Sequence, residues 1–479
     1  MDAVTVVTFV VFLIIFAAIG LSSVIRKKKT TTDYLLAGQD VKPWLVALAA
    51  VATCNSGYMF IGLIGFTYNV GLSAIWIAIG WVSGDFIASV FSFKHIRRFA
   101  DAKEIQTYSS LLSYRGGEPL RLVRFVAGVI TVTFLSIYAG AQFASNGKAL
   151  LGTFGLDLWI GALVGAVLVL GYCYAGGIRA TIWSNAAQSI VMIIVMFLLV
   201  VFGIQEVGGW SSAVSKMDAA SPTYLNWFSD TESYWGMAPM LFIVGWLFAG
   251  FGTVGQPHIM VGYMTMDSGD NIWRVRAYYY SWYSAFFIAA IFVGMLARII
   301  VVDDGSFDPE LALPTMALEL FPPFLVGVTL AGIFAATIST ADSMVISCTG
   351  ALTNDIFPKL KFSYLASKVA TLIVTIFATS VALFTLYSDT KVFDMVVYAW
   401  AVMATGFGPL LTLVLIGKRP NEIVSLAMIL FGSGCTVGLS LKGVPEPEYF
   451  IPGLAIPFII YFIGTFFDTE AKEGADEAA

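Results

Sequence analysis

Runs of twenty or so consecutive apolar residues recur along almost the whole chain, and they decide most of what it can fold into. In hydrocarbon every backbone N–H and C=O must find its partner within the chain, so such a run crosses a bilayer as a helix. One crossing takes about 20 residues at a rise of about 1.5 Å each. Of the 479 residues, 58% are hydrophobic and 12% are charged, about half the charged share of a soluble domain. The pattern predicts an all-α polytopic membrane protein with about thirteen spans, at 4–26, 44–70, 72–93, 122–147, 158–176, 181–205, 234–262, 272–302, 323–352, 366–388, 392–416, 421–441 and 447–467. The first run, "VTVVTFVVFLIIFAAIGLSSVI", is too long for a signal-peptide core and lacks a basic leader and a cleavage site, so it is expected to stay as a span.

Charge tests that count. With the N-terminus outside, all but five of the 26 basic residues fall on the cytoplasmic side, starting with "RKKK" at 26–29; the five are Lys148, Lys216, Arg298, Lys391 and Lys442. The positive-inside rule favours that arrangement, and an even number of spans would invert the later loops. The C-terminus is then cytoplasmic, and "DTEAKEGADEAA" (468–479) is a short acidic tail. The longest loops, 94–121 and 206–233, are too short for a soluble domain, and no GxxxxGK[ST] phosphate loop occurs. The four cysteines show no CxxC spacing and the chain has two histidines, which argues against a disulfide framework, a metal centre or bond chemistry built on histidine. Nothing suggests nucleic-acid binding or an obligatory protein partner; membrane lipid surrounds the whole.

Two spans are interrupted. In the second, "AVATCNSGYMFIGLIG", residues Thr53, Cys54, Asn55, Ser56 and Gly57 break the apolar pattern. In the seventh, "FAGFGTVGQPHIM", Gly250, Gly252, Gly255 and Pro257 do so, and proline inside a helix removes a donor and clashes one turn back. Each interruption lies in the first helix of a five-span set (44–205 and 234–416), and paired broken helices in corresponding halves point to a transporter's binding site. Two ordinary packing kinks are the bland alternative.

The ninth span carries "ISTADSM". At 100° per residue Gly332, Ala336, Ser339, Ser343 and Gly350 share a stripe, with Thr340 and Ser347 on one edge and Asp342 on the other. Small residues in a stripe allow close helix packing. Ser339 and Thr340 also offer two adjacent hydroxyl oxygens, and carbonyls freed at the second span's break would complete an oxygen shell for a small hard cation. Asp85 in the third span is expected to hydrogen-bond a neighbouring helix end. Tyr138, Gln142 and Asn146 share a face that either packs or lines a cavity. The run "YYYSWY" (278–283) is expected to pack or anchor, and His258 to be a capped structural histidine.

These stretches carry a resemblance. "AGIFAATISTADSMVISCTGALTNDIF", "GQPHIMVGYMTMDS", "YAWAVMATGFGPLL", "SGYMFIGLIGFTYNVGLSAIWIAIGW" and "IYAGAQFASNGKALLGTFG" resemble signature stretches of the sodium/solute symporter family, nearest its sodium/proline branch, over nearly the whole chain. The resemblance implies a LeuT-like five-plus-five inverted repeat with flanking helices, in one transporter domain over 1–479 (repeats 44–205 and 234–416). It also implies import of a small solute by alternating access, coupled to Na+, in a bacterial inner membrane. Matched position by position, the family's sodium ligands fall on the carbonyls of Ala52, Asn55 and Ala336 and the hydroxyls of Ser339 and Thr340. The solute would sit between Thr53, Cys54, Ser56, Gly57 and Ala249, Thr253, Gln256, Pro257, with Tyr138 and Gln142 alongside.

The chain also departs from that branch. An acid of the branch is Cys54 here, another is Asn185, and two pocket rings are Ala249 and Thr253. The expected site is therefore roomier and less apolar, and a second sodium site lacks its acidic ligand. Asp342, Ser343 and Asn185 are expected to form the ion's exit path. The leading solute is an amino acid, proline-like; a small carboxylate, a sugar or a urea-like compound stays open. So do a sensor role with a separate signalling partner and proton coupling through Asp342.

Overall fold

A computed structural model of the chain describes residues 2–22, 30–103, 105–115, 117–228, 238–267, 272–302, 305–361, 363–388 and 390–467. The basic run at 26–29 and the acidic tail at 468–479 lie outside the described residues. The membrane helices are α1 (Ala3–Ser22), α2a (Pro43–Gly57), α2b (Leu63–Val70), α3 (Ile75–Ala102), α4 (Arg121–Phe154), α5 (Leu158–Gly176), α6 (Ile178–Glu206), α7a (Ala238–Phe251), α7b (Pro257–Met264), α8 (Ile272–Ile300), α9 (Pro323–Gly350), α10 (Tyr364–Thr385), α11 (Val392–Leu415), α12 (Glu422–Leu441) and α13 (Phe450–Phe467).

Nine stretches of the described residues are long and apolar enough to cross a membrane by themselves. One of these, 43–100, would be about 87 Å long as a single straight helix, nearly three bilayer cores. It reverses at Gly71 (φ 66°, ψ −137°), where any Cβ would lie 2.2 Å from the Tyr224 carbonyl oxygen, so it makes two passes. The bent pair Pro239–Gly255 and Pro257–Met264, with the shorter apolar helices Leu158–Tyr174 and Phe450–Thr465, brings the passes to the thirteen that hydropathy predicts. The chain is a multi-pass membrane protein.

Burial sorts the helices. In their most apolar windows α9 and α11 are 89% buried, against 33% for α1, α10 and α12, so the first two form the centre and the others face lipid. Small residues allow this. A Cβ on Gly332 of α9 would lie 3.3 Å from Val195 of α6, and Thr5 of α1 donates to the Pro323 carbonyl at the start of α9 (3.0 Å). Four short helices escape the hydropathy pattern: Thr31–Leu36, Tyr108–Leu112, Trp210–Ala220 and Ala312–Leu320.

At the α2a end of the bundle the two broken helices are tied together. Val41 pairs with Met266 in an isolated parallel bridge, through Val41 N–H to the Thr265 carbonyl (3.2 Å) and Asp267 N–H to the Val41 carbonyl (3.0 Å). Beside it the Arg179 guanidinium holds the buried Asp33 carboxylate at 2.7 Å. At the opposite end Lys148 of α4 bonds Glu310 (2.5 Å). The Glu310 carboxylate accepts the first N–H groups of α11, from Val392 (3.2 Å) and Phe393 (3.1 Å), where the helix dipole favours negative charge.

Candidate ion and solute site

Both interruptions read from the sequence are breaks in the structure. In α2 the break falls on Ser56, whose φ of 47° and ψ of 177° put a non-glycine residue in a conformation that costs about 1–3 kcal/mol. The Ser56 hydroxyl accepts the N–H of Tyr58 (3.0 Å), and a π-turn, Tyr58–Gly62, leads into α2b. Gly57 is required by close approach: a Cβ there would lie 2.6 Å from Ser145 Oγ of α4 and 2.9 Å from Thr337 of α9. Its N–H, freed by the break, donates to Gln142 Oε1 at 2.6 Å. In α7 a tight turn, Gly252–Gly255, leads to an extended Gln256, and Pro257 opens α7b where its missing N–H costs nothing. The two pieces bend by 52°.

The hydroxyl pair of α9 meets the end of α2a. Ser339 Oγ lies 2.9 Å from the carbonyl oxygens of both Ala52 and Ala336. Thr340 Oγ1 lies 2.8 Å from the Thr53 carbonyl and 3.0 Å from that of Ala336. Five oxygens from two helices thus cluster at the α2 break, and Ser339 and Thr340 are fully buried. Four of the atoms that the sequence marks for Na+ are together. The Asn55 carbonyl takes the N–H of Tyr58, and Thr53, marked for the solute, supplies the further carbonyl of the cluster. An uncharged set of carbonyls and hydroxyls suits a hard monovalent cation. The hydroxyls now donate into the carbonyls, and turning their lone pairs inward needs only rotation about Cβ–O.

One turn along α9, Asp342 is fully buried. Its Oδ1 accepts from Asn185 Nδ2 (3.4 Å) and Ser343 Oγ (3.3 Å), while Oδ2 has no hydrogen-bond partner. Asn185 also donates to the Ser339 carbonyl (3.0 Å), and Thr53 Oγ1 lies 3.2 Å from Ser343 Oγ. The three residues expected along the exit path therefore touch one another and the hydroxyl pair's own backbone. Asn185 and Ser343 border a small cavity of about 30 Å³, lined also by Thr53, Thr181 and His258, with room for about one water molecule.

The solute side differs from expectation. Ala249 and Thr253 leave out two rings, but other elements bring rings of their own. Trp81 of α3 packs against Trp400 of α11 (4.9 Å between ring centres), Trp246 of α7a (5.6 Å) and Tyr58 (5.7 Å). Trp400 Nε1 donates to the Ala249 carbonyl (2.9 Å), and Gln256 Nε2 to the Trp400 carbonyl (2.9 Å). Ala249 is fully buried, so the space around it is apolar and filled rather than roomy. Thr253 Oγ1 turns back to the Gly250 carbonyl (2.8 Å). Tyr138 stands edge-on to His258 (5.8 Å). Neither nitrogen of His258 has a hydrogen-bond partner, so it is not the capped histidine expected. Asp85 accepts not from a helix end but from the Tyr279 hydroxyl (2.8 Å), which makes part of the "YYYSWY" run internal.

On the α2b side a cavity of about 390 Å³ opens between α2b, α7a, α11 and the loop before α13, large enough for a small organic molecule. Phe66 stacks on Phe393 (4.9 Å, 9°), and Phe393 lies tilted against Tyr58 (5.3 Å, 31°), so rings stand between this cavity and the breaks. In the same loop, burial and the nearby Asp394 carboxylate hold Glu446 well above the usual carboxylate range, against the hydrogen bond of Tyr449.

The sodium:solute symporter family matches residues 34–432. The chain belongs to the sodium:solute symporter family. It is therefore a sodium-coupled symporter, a secondary transporter and not an enzyme, with Na+ as its coupling ion. Sodium/proline symporters of Staphylococcus aureus, strains JH9 and NCTC 8325 among them, are 29% identical to it over 427 residues, 86% of this chain and 81% of theirs. A Na+-coupled sialic acid symporter, solved substrate-bound and outward-open, superposes with a TM-score of 0.79 at 17% identity over 98% of both chains. A nucleobase–cation symport family transporter, closed with bromovinylhydantoin bound, gives 0.56 at 14% identity over 91% of this chain and 94% of its own. Likeness at such low identity speaks for the fold, which is the LeuT-like five-plus-five inverted repeat with flanking helices.

Proposed function

We propose that this symporter imports an amino acid, proline-like in size, with Na+ bound by the carbonyls of Ala52, Thr53 and Ala336 and the hydroxyls of Ser339 and Thr340. The observation that carries the ion site is the oxygen cluster joining the α9 hydroxyl pair to the carbonyls at the α2 break. The repeats run over 44–205 and 234–416, and the solute lies between Cys54–Gly57 and Ala249–Pro257, beside Gln142, which takes the Gly57 N–H, and Tyr138. The sodium/proline symporters among its relatives support the amino-acid class, and the aromatic surroundings of Ala249 suit a compact solute with apolar carbons.

Transport follows from the two ends. Na+ and solute enter from outside by the cavity at α2b, past Phe66 and Phe393. Binding of Na+ draws α2 and α9 together at one point and so favours closure of that side. On the inner side the Val41–Met266 bridge and the Asp33–Arg179 pair must part. Na+ then leaves past Asp342, Asn185 and Ser343, whose carboxylate lies about 4.5 Å further along α9 than Ser339. In a bacterial inner membrane the N-terminus faces outward and the C-terminus inward. Cysteine introduced at Ser363 should react only with reagents that reach the cytoplasm, and at Ser212 only with external ones; labelling of both from one side would defeat this orientation. The function itself is tested in proteoliposomes loaded with potassium buffer. Uptake of radiolabelled amino acids, L-proline first, should rise on an inward Na+ gradient and collapse with a sodium ionophore. Uptake indifferent to Na+ but driven by a pH gradient would contradict it.

A further inference from the structure

Asp85 lies in α3 with no exposed surface. An ionisable group at such a depth is costly and as a rule serves a partner or a pathway. One oxygen, Oδ2, takes the Tyr279 hydroxyl at 2.8 Å; the other, Oδ1, has no hydrogen-bond partner. The same Tyr279 hydroxyl lies 3.2 Å from Cys54 Sγ, two residues before the strained Ser56. On the other side, a Cβ on the preceding Gly84 would lie 2.6 Å from the Phe251 nitrogen, so this turn of α3 is pressed against α7a one residue before its glycine turn. The carboxylate therefore stands at the junction of the two breaks.

No Lys, Arg or His among the described residues is paired with it in an ion pair. Arg276, nearly one turn before Tyr279 on α8, gives its guanidinium to the Ser89 carbonyl. The Thr253 and Tyr280 hydroxyls also lie close to the carboxylate, but hydroxyls carry no charge, and a buried carboxylate with a vacant oxygen still calls for a counter-charge and a further donor. A protonated amine supplies both at once, as a charge-assisted donor.

We propose that Asp85, positioned by Tyr279, recognises the ammonium or protonated secondary amine of the transported solute. The cargo is then an amine-bearing compound, which sets amine-free carboxylates, sugars and urea-like solutes aside. This rests on the proposed placement of the solute between the breaks. Cys54, whose thiol shares the Tyr279 hydroxyl, forms the neutral wall beside the amine rather than its ligand.

Purified full-length protein is tested by thermal stabilisation with and without Na+. The probes are L-amino acids, each paired with its amine-free carboxylate, such as L-proline with cyclopentanecarboxylate. An amine-bearing member should stabilise the wild type in Na+ and its amine-free partner should not. Asp85→Asn keeps the shape and removes the charge; it should raise the half-saturating amine concentration about tenfold or more, the usual scale for losing a buried charge-assisted bond. Stabilisation by Na+ alone should be unchanged, and Asp85→Glu should restore part of the amine response. An unchanged half-saturation in Asp85→Asn overturns the proposal. So does equal or better stabilisation of the wild type by amine-free partners, although Na+-coupled binding would then stand. Stabilisation indifferent to Na+ in the wild type would bring down the site placement and the proposal with it. Should Asp85→Asn not fold, alkylation of Cys54 in protein whose other cysteines are replaced by alanine decides. The amine-bearing probe should slow it and the amine-free partner should not, and equal protection by both overturns the proposal.

Discussion

The two sides of the central site are built from different materials. On the ion side, five oxygens come from two neighbouring helices, and every hydroxyl involved has an acceptor within 3.0 Å. On the solute side, rings arrive from α2, α3, α7a and α11, and several polar atoms have no hydrogen-bond partner, among them Trp81 Nε1, Gln142 Nε2, Gln256 Oε1 and Asp85 Oδ1. A hard cation asks only for oxygen at close quarters, which a broken backbone and two hydroxyls supply whatever the surroundings. An organic solute asks for a shape and for matched donors and acceptors, and those exist only after distant helices have packed. Unsatisfied polar atoms of this kind are costly in a finished core; on the proposed solute side a bound solute would satisfy them, and beside the ion cluster Asp342 Oδ2 and Asn185 Oδ1 are likewise without partners.

The sharpest way to separate the two sides is to remove the hydroxyls. Ser339→Ala with Thr340→Ala should abolish Na+-driven uptake in proteoliposomes while the purified protein keeps its melting temperature within a few degrees. Loss of folding in that variant would mean the hydroxyls serve packing instead. Next in size is Ala249→Trp, which inserts a ring into filled space beside Trp400. Uptake should be lost, because the added ring takes the place proposed for the solute, with Na+-induced stabilisation intact. Uptake at wild-type rate and half-saturation would place the solute elsewhere.

Asp342→Asn probes the boundary between the sides. Turnover should slow several-fold while the Na+ dependence of stability stays within a few-fold of wild type. If uptake becomes indifferent to both Na+ and pH while solute binding persists, Asp342 carries a proton and the exit-path role is wrong. The mildest change is Trp400→Phe, which keeps the ring and removes the N–H that holds the Ala249 carbonyl. It should raise the solute's half-saturation a few-fold, consistent with about 1 kcal/mol for a neutral hydrogen bond. An equal shift in Na+ affinity would show that the two sides are not separable.

The same contrast explains what could be read from the chain alone. Thirteen spans, the breaks at Ser56 and Gly252–Pro257, and the Ser339/Thr340 pair are local features of composition, spacing and backbone chemistry, so they were legible. The family resemblance places Thr53 with the solute, whereas in the structure its carbonyl joins the oxygen cluster. Every residue has a carbonyl, so which one faces inward depends on where α2a unwinds. The aromatic wall leaves no signal in the sequence because its members lie far apart in the chain, and no periodicity links Trp81 to Trp400. Asp85 was visible as an intramembrane acid, but its link through Tyr279 to Cys54 crosses 225 residues of sequence. The short helices Tyr108–Leu112 and Trp210–Ala220 carry no long apolar face and so left no hydropathy signal.

The most direct test of the ion site is equilibrium binding of radioactive sodium to purified protein without solute, compared among wild type, the Ser339→Ala/Thr340→Ala double variant and Ala249→Trp. Wild type and Ala249→Trp should bind Na+ saturably with similar affinity, and the double variant should lose at least about tenfold, the size of two lost oxygen contacts of roughly 1 kcal/mol each. Unchanged Na+ affinity in a folded double variant would contradict the oxygen cluster at the α2 break as the place where the coupling ion binds.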